Sequence, residues 1–430
     1  MGEAKAASRR NLGVGLALPS ARSPLWIAAG GAYSGLTTYV LLVMTARALG
    51  PDQYGVFSIF WSTLVLILLG VFLPIEQVLA FRRAGGKSVD GLLGSGIRMG
   101  LIYTGVCVAA VAAFQLVVDG GGIALSVLVA ITLGVAGSAL QSPARGMLSG
   151  QLDLRGYAAV ISIDGTGRTV GVIVLWAIGT RQAAPYMICV GASALLAGIV
   201  GVWLVRRGGE AARTEGHAGD SPGGLRSIWR EVSGLVVALL CMQALLNSPV
   251  LVAGAFAGDA AFTGLLMAIV SAARLPVFLA QAGQATYVGR IATAHHRHDL
   301  HAVRRLMTLV AGVVGALALL TVLGAAALGP QLVHLVFGSG YVVDRLTCIL
   351  VAAGVGLYLI ASVANDISVA VGAHGRAAPI WFLAAVAGVV PALLLNDMVL
   401  RSTLPMLIGS AVAAAVLVPR ILRNLKWDGA

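Results

Sequence analysis

Long apolar runs, each close to the roughly 20 residues that carry a helix across a bilayer, alternate along the chain with short turns of charged, Gly or Pro residues. The pattern predicts helices near 25–47, 54–80, 95–118, 122–144, 157–179 and 183–205, then a second set near 231–255, 262–288, 304–328, 345–372, 377–396 and 402–420. Between the sets, 206–230 is polar, carries the turn Ser221-Pro222-Gly223-Gly224 and lacks apolar periodicity. The expected organisation is an all-α integral membrane protein of twelve spans: a tail (1–24), a six-helix N-lobe (25–205), a linker (206–230), a six-helix C-lobe (231–420) and a second tail (421–430).

Composition excludes a water-soluble globule. The 430 residues are 58% hydrophobic and 11% charged, against about 25% charged in a soluble domain. The first apolar run is as long as a true span rather than a signal core, so it is expected to stay in the membrane. Cys107, Cys189, Cys241 and Cys348 each fall inside an apolar run, which implies neither a disulfide framework nor a zinc site.

With the first terminus in the cytoplasm, 23 of the 29 basic residues fall on that side, Arg82 and Arg145 among them. Arg47, Arg181, Arg345 and Arg401 fall opposite, and Arg168 and Arg274 lie within spans. This positive-inside bias places both termini in the cytoplasm of a multi-pass cell-membrane protein. It also absorbs the net charge of +12: basic residues spread over many turns serve topology and membrane lipids, whereas a nucleic-acid partner needs them gathered on one soluble face.

The two sets share local patterns, as in transporters built from repeats. Leu49-Gly50-Pro51-Asp52-Gln53-Tyr54-Gly55 joins the first and second spans, and Gly258-Asp259-Ala260-Ala261-Phe262-Thr263-Gly264 joins the seventh and eighth. Gly146 to Gly150 with Arg155-Gly156 follows the fourth span, and Gly372-Ala373-His374-Gly375-Arg376 follows the tenth. Six spans apart and facing the same way, these suit parallel repeats.

The hairpin from Leu49 to Phe57 resembles the opening signature of the polysaccharide transporter and O-antigen flippase families of the multidrug/oligosaccharidyl-lipid/polysaccharide (MOP) superfamily. Val336-Phe337-Gly338-Ser339-Gly340-Tyr341, Gly372 to Arg376 and the Leu275-Pro276 break are similar to that family's patterns. The resemblance implies a V-shaped pair of six-helix lobes around a central cavity, working by alternating access as a flippase. The cargo it implies is a polyprenyl-linked saccharide, moved from the cytoplasmic to the outer leaflet for cell-surface polysaccharide.

Glu76, Asp164, Arg168, Arg274 and Asp366 fall within spans, where a charge at the helix centre costs about 2.5–3.5 kcal/mol on insertion scales. They are expected to face water, one another or cargo. Asp164 and Arg168 share one helix face and either neutralise each other or present Arg168 to an anionic head group. Arg274 has no acidic residue within four positions and lies beside Pro276; it either binds a cargo phosphate with its planar fork or pairs with another helix. Glu76 and Asp366, with Asp164, are candidates for coupling or gating driven by H+ or Na+, with no other cofactor. Gln243 and Asn247 share a face where their amides either bind a sugar hydroxyl or join helices. Gly167 and Gly171 form a small-residue pair suited to packing.

Other signals count for less. His295, His296, His298 and His301 crowd one loop, read as solvated rather than metal-binding. Gly85-Gly86-Lys87-Ser88 lacks the first glycine of a P-loop, because Phe81 stands there, and follows no strand. Gln331 to Tyr341 is expected to lie along the outer interface. Alternatives to the flippase are multidrug or small-molecule export on the same fold and a membrane glycosyltransferase or polymerase; the latter is disfavoured by short outer turns and by the lack of an Asp-x-Asp pair. Glycan-assembly enzymes are expected partners of a flippase.

Overall fold

The computed structural model describes residues 20, 23, 25–85, 89–118, 125–213, 225–371 and 377–427. Most of the first tail, the core of the linker, Lys87, the Gly372 to Gly375 motif with Arg376, and the last three residues lie outside them. The elements are α1 (Leu25–Ile67), a π-helical turn (Leu68–Phe72), α2 (Leu73–Ala84), α3 (Val89–Val118), α4 (Leu125–Gly150), α5 (Leu154–Ala177), α6 (Ala183–Arg213), α7 (Leu225–Phe256), α8 (Ala260–Ala273), α9 (Leu275–His296), α10 (Leu300–Phe337), α11 (Arg345–Ala370), α12 (Ala377–Leu394) and α13 (Met398–Trp427). The described residues contain no strand.

Ten stretches are long and apolar enough to cross a bilayer, and the first, Leu25–Ala84, is 60 residues long. Two local features recover the twelve spans. At Gly50 the backbone turns to φ 71° and the helix folds back on itself, so that Thr38 and Trp61, on either side of the bend, both reach Arg168. A side chain is strained at such a φ, and glycine is not. The second feature is the break at Arg274 between α8 and α9, where Pro276 supplies no backbone donor. Helix starts follow from sequence: the carboxylates of Asp153, Asp259, Asp299 and Asp344 each accept a backbone N–H three residues on, opening α5, α8, α10 and α11.

Three boundaries differ from the sequence pattern. α4 continues past Pro143 to Gly150, which puts Arg145 inside a helix rather than in a cytoplasmic turn. Gly96 of α3 leaves space for the proline ring, since a Cβ there would come within 3.0 Å of it. α6 runs on to Arg213 and α7 begins at Leu225, which shortens the linker at both ends. α10 passes through Pro330 to Phe337, replacing most of the interfacial segment expected before the tenth span.

Without a hydrophobic drive between helices in lipid, small residues and close contact hold the bundle. Gly167 and Gly171 of α5 meet α6 so closely that a Cβ on either would lie 2.8 Å from Ser193 Oγ or 2.0 Å from Cys189 Sγ. The Gly-x-x-x-Gly pair is a packing device. All four cysteines are free.

The repeats meet at their hairpins. Gly258, at φ 61°, occupies the second hairpin as Gly50 occupies the first, and α1 packs along α8. At this rim Arg47 donates to the carbonyls of Val336 (2.8 Å) and Leu335 (2.6 Å). The buried Tyr341 donates to the carbonyl of Ala46 at 2.9 Å and meets Tyr54 edge-on at 5.9 Å. At the opposite rim Arg82, buried and not solvent-facing as its place in a turn suggested, clasps Glu231 of α7 at 2.7 and 3.1 Å and Ser227 at 2.9 Å.

Candidate functional site: a cationic cavity between the lobes

A cavity of about 230 Å³ lies between the two sets of helices. Its polar lining comes from α1 (Thr38, Trp61), α4 (Gln141, Arg145), α5 (Asp164, Arg168), α7 (Gln243) and the α8–α9 break (Ser271, Arg274). Of the seven residues singled out in the sequence, Asp164, Arg168, Gln243 and Arg274 therefore share one chamber. Glu76 and Asn247 stand one layer behind it, and Asp366 stands elsewhere.

Arg168 is buried and held on three sides. Asp164 sits one turn away at 3.6 Å, Thr38 Oγ1 accepts from Nη2 at 2.9 Å, and the guanidinium carbon lies 5.8 Å from the Trp61 ring centre. The Asp164 contact is long and single, so Arg168 is steered as much by Thr38 and Trp61 as by its carboxylate. Ser193 Oγ donates to both Asp164 Oδ1 (3.2 Å) and the Asp164 carbonyl (2.7 Å).

Arg274 is placed by the break. Its Nη2 donates to the carbonyl of Leu246 and to Asn247 Oδ1 at 3.0 Å, both on α7. That stretch of α7 is opened by Pro249, and Ser248 Oγ takes up the Leu245 carbonyl at 2.8 Å. Among the described residues no carboxylate lies in ion-pair reach of Arg274, so its charge is met only by neutral oxygens. Asn247 is fully buried and turns its amide to Arg274 and to the Gln243 carbonyl (2.8 Å); it supports the site and does not line it.

Arg145 is the residue the sequence pattern missed. Its Nη2 lies 2.6 Å from Glu76 Oε2, and Tyr157 donates to Glu76 Oε1 at 3.0 Å. Glu76 is thus a buried counter-ion inside the N-lobe rather than an interfacial group. The signal available beforehand was length: a span opening near 122 and ending at 144 leaves Gly146-Met147-Leu148 outside, although that segment reads as readily as one more apolar turn.

Three guanidinium groups thus stand against two carboxylates, leaving one formal positive charge. The side chains around the chamber also carry buried polar atoms with no partner: Nε of Arg145, Arg168 and Arg274, Nε2 of Gln141 and Oε1 of Gln243. Four are donors and one is an acceptor, and buried polar groups are ordinarily satisfied. Asp366 of α11 lies apart, accepting from Tyr287 of α9 at 2.7 Å. Among the described residues no group of three His, Cys, Asp or Glu is placed to hold a metal, the loop histidines included.

No family model matches the sequence, and no curated protein matches it. Solved structures do. An inward-facing multidrug resistance MATE family transporter of the MOP superfamily is 14% identical over 92% of this chain and 96% of its own, with a TM-score of 0.68. The outward-facing conformation of such a transporter gives 15%, 95%, 96% and 0.63. A MOP superfamily transporter from Pyrococcus furiosus, described as having a binding pocket of reverse polarity that suggests a different function, gives 12%, 95%, 96% and 0.64. The chain has the all-helical fold of the MATE transporters of the MOP superfamily, in two six-span halves.

Proposed function

We propose that this protein is a membrane transporter that moves an anionic, phosphate-bearing amphiphile, a polyprenyl-linked saccharide, from the cytoplasmic to the outer leaflet by alternating access. The observation that carries this reading is the convergence of Arg168 from one lobe and Arg274 from the other on a single chamber. Guanidinium forks suit phosphate oxygens, and the excess of unmet donors over acceptors suits a ligand rich in oxygen. The unmet Gln243 carbonyl oxygen suits a hydroxyl donor such as a sugar supplies. With both termini in the cytoplasm, the Gly50 rim faces outward. Asp366 is then the group through which an ion gradient drives the cycle, and glycan-assembly enzymes at the cell membrane supply the cargo.

The test is reconstitution. Liposomes holding the protein receive a fluorescent prenyl-diphosphate-linked sugar in the inner leaflet, and a quencher outside reads its arrival. Ion-driven flipping that Arg274→Ala abolishes supports the reading, and no flipping under any imposed gradient overturns it.

A second reading, export of drugs or other small molecules, is favoured by the structural neighbours, which are multidrug resistance transporters. A chamber with net positive charge disfavours organic cations, and the neighbour with reversed pocket polarity is itself credited with a different function. Accumulation of a cationic dye in proteoliposomes, with no movement of the glycolipid, would favour export.

A further inference from the structure

Resting on that reading, we infer that Asp164 is an exchangeable counter-ion: it gives up Arg168 to the cargo and takes a proton from the cytoplasm, so that diphosphate and proton enter the chamber together. The two carboxylates beside the arginines are held very differently. Glu76 is fixed by a 2.6 Å ion pair with Arg145 and by the Tyr157 hydroxyl at 3.0 Å, so Glu76 and Arg145 cancel as a built-in pair. Asp164 makes one 3.6 Å contact with Arg168, lines the chamber itself, and receives its remaining bond from Ser193 Oγ at 3.2 Å.

With the Glu76 pair set aside, the charges facing cargo are Arg168 and Arg274 against Asp164. A diphosphate diester carries two negative charges. It matches the two arginines only when Asp164 is neutral; with Asp164 ionised, a carboxylate faces the phosphates across the chamber, and like charges repel. The ionisable groups around Asp164 are few. Arg168 is on its own helix, Arg145 on α4, Tyr33 on α1 and Arg274 across the chamber; α6 offers Ser193. None of these is a carboxylate or an imidazole, which leaves Asp164 to take the proton. The transfer is a protonation alone: one carboxylate oxygen gains the proton, and the Arg168 N–H groups pass from that carboxylate to phosphate oxygen.

The experiment is calorimetric titration of the purified protein with farnesyl diphosphoryl glucose, a dianion across neutral pH, in buffers of differing ionisation enthalpy, with farnesyl glucoside as the uncharged control. The expected result is uptake of about one proton per dianion bound, with affinity weakening by up to about tenfold per pH unit on the alkaline side. Asp164→Asn, which mimics the neutral acid, is expected to bind at least as tightly, with no proton uptake and no such pH dependence. Dianion binding by the wild type without proton uptake overturns the inference while leaving the proposed cargo standing; so does the same uptake by Asp164→Asn. Failure of the dianion to bind, or equal binding of the glucoside, overturns the cargo reading itself. The wild-type proton count decides the matter even if the variant does not fold.

Discussion

Gly55 and Gly264 lock the two hairpins together reciprocally: the first lies against the carbonyl of Ala260, the second against the carbonyl of Pro51. A Cβ on Gly55 would stand 1.8 Å from one oxygen, and a Cβ on Gly264 2.3 Å from the other. The pairs 51 with 55 and 260 with 264 have equal spacing, so the contact carries the two-fold relation between the repeats in its own geometry. Backbone must give way to admit a methyl group there, and overpacking of this kind costs about 1–3 kcal/mol. Gly55→Ala and Gly264→Ala are each expected to shift the protein away from the state closed at this rim. Spin-label distances across the rim report it; an unchanged distance distribution would argue against the interlock.

Arg274→Ala leaves the Leu246 carbonyl and the Asn247 amide oxygen unmet, at about 1–3 kcal/mol for each buried group. The expected outcome is a protein that is expressed and inserted but transports at least about a hundredfold less, the effect of losing roughly 3 kcal/mol of cargo contact. Arg274→Lys keeps the charge and loses the fork, and is expected to recover only a small part. Cell-surface glycan with flipping in liposomes measures both, and wild-type levels in Arg274→Ala would exclude its role.

Arg82 and Glu231 tie α2 to α7 at the rim opposite the hairpins. Glu231 is 48% exposed, so the pair is screened on one side, but Arg82 is buried and keeps only Ser227 when the Glu231 carboxylate is removed. Glu231→Gln is expected to lower the melting midpoint and to raise labelling, from that rim, of a cysteine introduced at the cavity residue Ser142. The exchanged pair, Arg82→Glu with Glu231→Arg, is expected to restore much of both. No recovery in the exchanged pair would mean that Arg82 acts through Ser227 or packing instead.

Asp344 begins α11. Burial on its own would raise its carboxyl, but hydrogen bonds from the Thr347 hydroxyl and backbone N–H outweigh it and hold the group below the usual carboxylate range. A depressed carboxyl stabilises above its unfolded pKa, about 3.9, and that stability is lost as pH falls through the folded value. Asp344→Ala is expected to cost about 1 kcal/mol at neutral pH, as helix caps do, and the gap from wild type to close only below about pH 4. Melting curves at several pH values test this, and a gap that persists at low pH would show that the cap acts without its charge.

The architecture was largely legible because apolar length and glycine turns are local properties. Gly50, Gly258 and Pro276 each mark a fold-back or break that the backbone makes at that position. The site was legible in part. Asp164, Arg168, Gln243 and Arg274 stood out because a charge or amide in an apolar run needs company, and the chamber provides it. Arg145 escaped because proline and glycine on either side of it read as a turn, whereas Gly96 on another helix makes room for Pro143. That Glu76 and Asn247 stand one layer behind the chamber is not legible in the sequence. Their partners, Arg145 with Tyr157 and Arg274, are distant in sequence, and which face of a helix meets them is settled only by packing.

The bend at Gly50 joins two limbs through a single residue, so this hairpin carries no loop of its own. On the proposed alternating-access reading, entry from that side waits on the two limbs of α1 parting from α8, against which they pack.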